Sequence, residues 1–421
     1  MSADDARMQW ARKAAALDRY RWLLLRERYG WFGSAVRFIR EVMVDGAFGL
    51  LARWCLAPQV DSQPCDFLLL QSAPKVIAFQ RKKLLIGALR SRSHALVETA
   101  LPEVKTILRE RLLRRPAQPV PLRYFAYAAH AQWLVERYAA KVVLNDRNGS
   151  LYSPFLRLAL NARQRLLVHL AHATTVEGSR RLGMNDYDYY FLFGQSSLEA
   201  LQARRLRFGS SQVVLAGSHM IDMAFDLPPA DVSRRTLLVL GVGPDKEKEA
   251  GYQRTYELLR DWAAGNPGYQ VLIKAHPRSQ VPFWQEAARA LGNVHVLPSS
   301  CSLAEALGQA SLVVNIMSNA VIEAGLAGRP VIYCNLGRDR DIFAQETFFG
   351  PALTEPAALQ ARVTAVEVDY LTHVERARHF AHYHLAHGSA GLQVNLEALV
   401  ALLQGTALPA AVQCHALTAT P

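Results

Sequence analysis

The chain has 421 residues, and 48 Lys and Arg against 36 Asp and Glu give it a formal charge of +12. Apolar residues make up 51% and charged residues 20%, a composition too apolar for a disordered chain and too long for one small core, so two domains are expected. Its five cysteines form no CxxC pair, which excludes a zinc ribbon or a disulfide scaffold and points to a reducing compartment. No uncharged apolar run reaches the roughly 18 residues that span a bilayer, and the opening MSADDARMQW lacks the basic-then-apolar order of a leader, so the expectation is a cytoplasmic protein.

Residues 1–60 read as a basic, amphipathic helical extension. Ten basic residues from Arg7 to Arg53 alternate with Trp10, Trp22, Trp31 and Trp54. The spacings Leu17, Tyr20, Leu24 and Val36, Ile39, Met43 are helical. Two readings stay open: helices lying in an anionic membrane interface, or helices packed on the body with a solvated basic face. Arg81, Lys82, Lys83 and the Arg109–Arg115 segment add to the expected basic surface. No nucleic-acid signature accompanies this charge, so no nucleic-acid partner is expected.

Residues 61–227 form a first alternation of short apolar runs and helix-length spacers. The runs lie at 67–70, 94–98, 141–144, 165–170, 189–193 and 212–215, with a helix expected over 84–89 and no clear pattern over 99–140. Leu227-Pro228-Pro229-Ala230 reads as a linker. Residues 231–404 form a second alternation, with strands at 236–240, 269–274, 294–297, 312–315 and 331–334. Parallel strands covered on both faces give this pattern, so the fold class is α/β with two Rossmann-like domains. Residues 405–421, with Pro409 and small side chains, read as a flexible tail.

Chemistry collects after the strands, where open parallel sheets bind ligands. Lys274, His276 and Arg278 follow one strand and suit a diphosphate, although a surface loop with a capping Ser279 fits equally. Ser318, Asn319 and Glu323 follow another, where a helix start attracts phosphate and the acid suits a ribose diol. An N-cap with an ordinary first-turn acid is the competing reading. Gly241 and Gly243 permit close backbone approach, though a GxG is more often a plain turn. In the first half, His172 and the rival Glu177 are candidate general bases, while His169, inside a strand, reads as a packed core histidine. The Asp186/Asp188 and Asp339/Asp341 pairs are not read as metal sites, so no metal is assigned. The C-terminal histidines His373 to His387 read as a polar helix end.

The order of these segments over 140–340 resembles GT-B glycosyltransferases, and more narrowly capsule-polysaccharide synthesis proteins and CDP-glycerol glycerophosphotransferases. Lys274-Ala275-His276-Pro277 is similar to that group's KxHP element. Ser318 to Ala324 with Gly328-Arg329-Pro330-Val331-Ile332 resembles its Ser loop, acid and following strand. His172-Ala173-Thr174 resembles its HGT element with Ala for Gly, and Gly217 to Asp222 its G-x-P-R-x-D element with His219-Met220 for Pro-Arg. The resemblance implies two domains facing across a cleft and metal-independent sugar transfer without a bound cofactor. It implies donor-phosphate contacts for His276 and Ser318, ribose or base contact for Glu323, and His172 as base. The implied donor is a CMP- or CDP-linked sugar. The implied acceptor is a lipid-linked capsule or lipopolysaccharide glycan at the inner face of an anionic membrane, with other polysaccharide synthesis proteins as further partners. Glycerophosphate transfer from CDP-glycerol, a non-catalytic scaffold subunit and a sugar-nucleotide 2-epimerase are the alternatives.

Overall fold

The computed structural model describes residues 3–174, 180–204 and 206–419. Twelve strands occur in chain order among them: β1 (Phe67–Gln71), β2 (Leu96–Ala100), β3 (Val142–Asn145), β4 (Leu166–Leu170), β5 (Tyr189–Leu192), β6 (Ser210–Leu215), β7 (Thr236–Leu240), β8 (Gln270–Lys274), β9 (Val294–Val296), β10 (Leu312–Asn315), β11 (Val331–Tyr333) and β12 (Gln413–Thr418). They fall into two compact units, Met1–Met220 with Leu392–Pro421, and Ile221–Gly391.

The first unit holds a seven-stranded sheet in the order β12-β6-β5-β4-β3-β1-β2. Every pairing is parallel except β12 on β6. β1 is buried at every position because both faces are covered. Its Leu68 and Leu70 meet the helices Leu122–Tyr138 and Ser153–Asn161 through Leu134 and Phe155. Its Phe67 and Leu69 meet Leu85 and Leu89 of the helix Lys83–Ser91, and Leu396 and Leu399 of the helix Gly391–Gln404.

That last helix corrects the expected boundary at residue 404. The chain returns to the first unit after Gly391, and Asn395 donates to the carbonyls of Ala216 (2.9 Å) and Gly217 (3.1 Å). The expected flexible tail is corrected as well. Residues 413–418 add β12 antiparallel to β6, from Gln413 opposite Leu215 to Thr418 opposite Ser210. The unpatterned stretch over 99–140 holds the helices Val104–Arg109 and Leu122–Tyr138, the second of which has four Ala and three Tyr that blur its stripe.

The helical extension is one 52-residue segment, Ala3–Trp54, interrupted at Gly30 (φ 66°, ψ −167°). Only glycine takes such a backbone readily. The two arms fold on each other as a hairpin. Arg21 of the first arm pairs with Glu41 and Asp45 of the second, both at 2.7 Å, and Trp22 sits edge-on to Phe38. The first arm buries Trp10, Ala14, Leu17 and Tyr20 in the same core as Tyr124 and Phe155. Arg123 reaches back to Asp18 at 2.6 Å. A Cβ on Gly49 would lie 1.8 Å from the Leu122 carbonyl oxygen, so the second arm also touches that helix. The extension thus has a packed side, as one of the two readings required.

The second unit holds a parallel five-stranded sheet in the order β11-β10-β7-β8-β9. Its core joins Leu237, Val239 and Ile273 to Tyr252, Tyr256, Trp262 and Trp284 from flanking helices. Both sheets reverse direction once. The reversal lies between β1 and β3 in the first unit and between β7 and β10 in the second. Such switch points leave a crevice beyond the strands' carboxyl ends.

Candidate functional site

In the second unit the three sequence-derived segments follow β7, β8 and β10, which lie side by side at the switch point. The Gly241 N–H donates to the Lys274 carbonyl at 2.9 Å. A Cβ on Gly241 would lie 2.9 Å from the His276 nitrogen, so glycine is required there for the two loops to meet. Gly243 is less constrained: its Cβ would face the Arg278 guanidinium at 3.6 Å. Gly241, Gly243, Lys274, His276 and Arg278 are therefore brought together.

Nδ1 of His276 accepts from the Arg278 backbone N–H at 3.2 Å. Burial and the Arg278 charge hold its pKa below the usual value, against the pull of Glu247. The neutral ring then keeps its proton on Nε2, as a donor for an anionic ligand. A pocket of about 360 Å³ opens beside it, with Lys274, His276, Gln285 and Ser299 among its walls. Ser279 Oγ donates to the buried Glu247 carboxylate and accepts from Val281 N–H (3.3 Å). It thereby ties the β8 loop to the helix Pro244–Glu247, and the helix Pro282–Ala290 has no side-chain cap. Glu247 was not legible as part of the site, because in sequence it is one of several charges on a short polar helix.

After β10, Asn315 Oδ1 accepts from Ser318 N–H at 3.0 Å, and Asn315 Nδ2 donates to Gln345 at 2.7 Å. These buried amides fix the loop from below. The helix Ala320–Leu326 starts without a side-chain cap, so neither Ser318 nor Asn319 is used as an N-cap. Glu323 is half-buried, and burial pushes its carboxyl up to about 7.

In the first unit a polar cluster occupies the other switch point. Lys82 was expected on the basic surface. It is instead 2% exposed, and its Nζ bonds Asp146 at 2.6 Å and Gln71 at 3.1 Å. Gln71 ends β1 and Asp146 follows β3, so the pair spans the reversal. The second Asp146 oxygen and Nε2 of the buried His219 have no hydrogen-bond partner among the described residues. Burial, then Lys82 and His172, pull His219 down to about 3. His172 lies exposed after β4, and burial of its surroundings with Lys82 and Arg81 lowers its pKa, while Asp146 opposes. The lowered pKa favours the neutral form of the His172 imidazole, and the buried Asp146 carboxylate is one of the charges acting on it. Glu177 lies outside the described residues.

His169 is a packed core histidine. It is fully buried, stacks on Tyr187, accepts from Asn145 and donates to Asn148. Asp186 and Asp188 are held by Arg157 at 2.9 Å, and Asp186 also by Lys13. Asp341 accepts from the Phe343 and Glu346 backbone amides. Of the C-terminal histidines, His384 is buried against Phe343 and Phe380.

No protein-family model matches the chain, and no curated protein matches it in sequence. Solved structures do match in fold. A Listeria monocytogenes protein provisionally assigned as a UDP-N-acetylglucosamine 2-epimerase superposes with a TM-score of 0.53 at 15% identity, covering 82% of this chain and 98% of its own. The chain has the GT-B fold. A second structure, of a UDP-N-acetylglucosamine 2-epimerase, superposes with a TM-score of 0.51 at 12% identity, again over 82% and 98% of the two chains. At these identities the likeness is one of fold alone. Two Rossmann-like units are what the sequence pattern led us to expect, and GT-B is what the motif resemblance implied, with a helical hairpin at the N-terminus.

Proposed function

We propose that the chain is a glycosyltransferase acting on a nucleotide-activated sugar. The observation that carries this reading is the content of the two switch points. The second unit gathers a lysine, an arginine, a neutral histidine donor and an uncapped Ser-Asn loop, a set suited to a nucleotide diphosphate. The first gathers a neutral histidine and a buried Lys–Asp pair, a set suited to moving a proton.

In this reading Lys274, His276, Arg278 and Ser318 bind the donor phosphates, and Glu323 accepts from the ribose diol. His172 removes the proton of an acceptor hydroxyl. The hydroxyl oxygen bonds to the anomeric carbon as the bond from that carbon to the phosphate oxygen breaks. The leaving nucleotide keeps the electron pair, and the cationic side chains stabilise its charge. A capsule or lipopolysaccharide glycan on a lipid is the acceptor we favour, following the motif resemblance. That resemblance favours a cytidine nucleotide, whereas both similar structures are named for a UDP-sugar.

A second reading, sugar-nucleotide 2-epimerisation, draws on those two structures and on the free Asp146 oxygen, a buried acceptor able to take a proton from carbon. Incubation with UDP-N-acetylglucosamine alone separates the two: an epimerase forms the epimer without any acceptor. Calorimetry with CMP, CDP, UDP and GDP tests the shared premise. One nucleotide is expected to bind selectively, and His276→Ala to weaken it roughly 10- to 100-fold, the value of a hydrogen bond to a charged group. Failure of all four to bind would remove the enzyme reading in favour of a scaffold.

A further inference from the structure

The hairpin's second arm carries a stripe that the body does not cover. Phe32, Val36, Ile39, Met43, Ala47, Leu50 and Trp54 are all exposed, Phe32 at 77%, Met43 at 69% and Trp54 at 73%. At 100° per residue they fall within an arc of roughly 80° and run about 33 Å along the helix. The opposite side of the arm carries Glu41 and Asp45, both turned to Arg21.

The hairpin's exposed charges without an ion-pair partner among the described residues, from Arg26 onward, are of one sign. Arg26, Arg28, Arg37, Arg40 and Arg53 are exposed, and none has a carboxylate partner among the described residues. The hairpin's acids from Asp18 onward are taken up elsewhere: Asp18 by Arg123, Glu27 by Arg207, Glu41 and Asp45 by Arg21. No helix among the described residues is long and apolar enough to cross a membrane.

We propose that this arm lies flat on an anionic lipid bilayer, its apolar stripe among the upper acyl chains and its arginines on lipid phosphates. An apolar stripe flanked by arginine alone is the pattern of an interfacial helix. A second copy fits less well, because two such arms would face arginine to arginine with no free carboxylate between them. Nucleic acid would use the arginines and leave the stripe wet. The inference stands on the hairpin and does not depend on the transferase reading.

The test is flotation of the full chain with vesicles of phosphatidylcholine alone and of phosphatidylcholine with phosphatidylglycerol. Two variants accompany it, Phe32→Ser/Ile39→Ser/Met43→Ser and Arg37→Ala/Arg40→Ala. All five positions are exposed, so both variants should fold, which their melting curves check. The chain is expected to float with the anionic vesicles, more strongly at low salt. The serine variant should lose roughly tenfold or more in partitioning, and the alanine variant roughly thirtyfold at low salt. Absence of flotation with anionic vesicles overturns the proposal. So does flotation that the serine variant leaves unchanged, which would mean electrostatic adsorption, or covering of the stripe by a second copy if that variant turns a dimer into a monomer.

Discussion

Lys82 and Asp146 provide the sharpest test of the first unit's cluster. They are 2% and 4% exposed and 2.6 Å apart, so removing one partner strands the other. Breaking a buried pair in this way costs about 3–5 kcal/mol. The structure ranks the two single variants. Lys82→Met leaves both Asp146 oxygens without a partner, since one has none already, and belongs at the upper end. Asp146→Asn leaves Lys82 its bond to Gln71 and belongs at the lower end. For a unit of this size each kcal/mol moves the melting temperature by about 2–4 °C, so Lys82→Met should lower it by roughly 10–15 °C. Lys82→Met/Asp146→Leu removes both charges and should recover most of that loss, because two well-packed apolar side chains replace a buried pair at little cost. Scanning calorimetry of the four proteins gives the cycle. A drop below about 2 °C for Lys82→Met, or a double variant no better than the worse single, would refute the burial argument. The double variant then answers a separate question: if it is folded but inactive, the pair serves the reaction, and if it is folded and active, the pair is structural.

Glu323→Gln should change the pH dependence of stability. With its folded pKa near 7 against an ordinary 4.5, the native protein holds a proton that the unfolded chain releases, so this group's contribution is full below pH 4.5 and lost as pH rises through 7. Glutamine removes that loss, so the variant should gain about 1–3 kcal/mol on the parent between pH 5 and 8 in urea unfolding; a difference flat in pH would contradict it. If a ribose hydroxyl donates to Glu323, nucleotide binding near pH 7 should release protons, seen as a calorimetric enthalpy that varies with the buffer. His172→Ala should lower kcat by roughly 10²–10⁴-fold with nucleotide affinity unchanged, and the acid limb of the parent's kcat/KM profile should lie below pH 6.5, as the lowered pKa of His172 requires. Gly49→Ala should destabilise the first unit by at least about 1–3 kcal/mol, because the new methyl group would overlap the Leu122 carbonyl; an unchanged melting curve would mean that the second arm does not dock there.

The strands were legible because a parallel sheet covered on both faces leaves an unbroken apolar run, as in Phe67-Leu68-Leu69-Leu70 and Leu237-Leu238-Val239-Leu240. Their carboxyl ends were legible for the same reason, and the β7, β8 and β10 loops fall where the runs stop. What stayed hidden depends on partners far away in sequence. Gln413–Thr418 carries no strong strand signal and is ordered by the open edge of β6, some two hundred residues earlier. Gly391–Gln404 reads as the last helix of the second unit until the chain is seen to return, where Leu396 and Leu399 complete the first unit's core. Lys82 stands between Arg81 and Lys83, so its local pattern is that of a solvated basic turn, and only Asp146, 64 positions later, gives it a buried partner. The same logic separates the hairpin's two faces. Local spacing announces both apolar stripes alike, but the stripe through Trp10, Leu17 and Tyr20 finds the helix Leu122–Tyr138, while the one through Phe32, Met43 and Trp54 finds no cover among the described residues. A sequence that keeps seven apolar positions in register on an uncovered face, and spends its nearby acids on inward arginines, leaves that face charged and apolar at once. An anionic bilayer, as proposed above, meets both properties together, whereas nucleic acid or a second copy meets one of them.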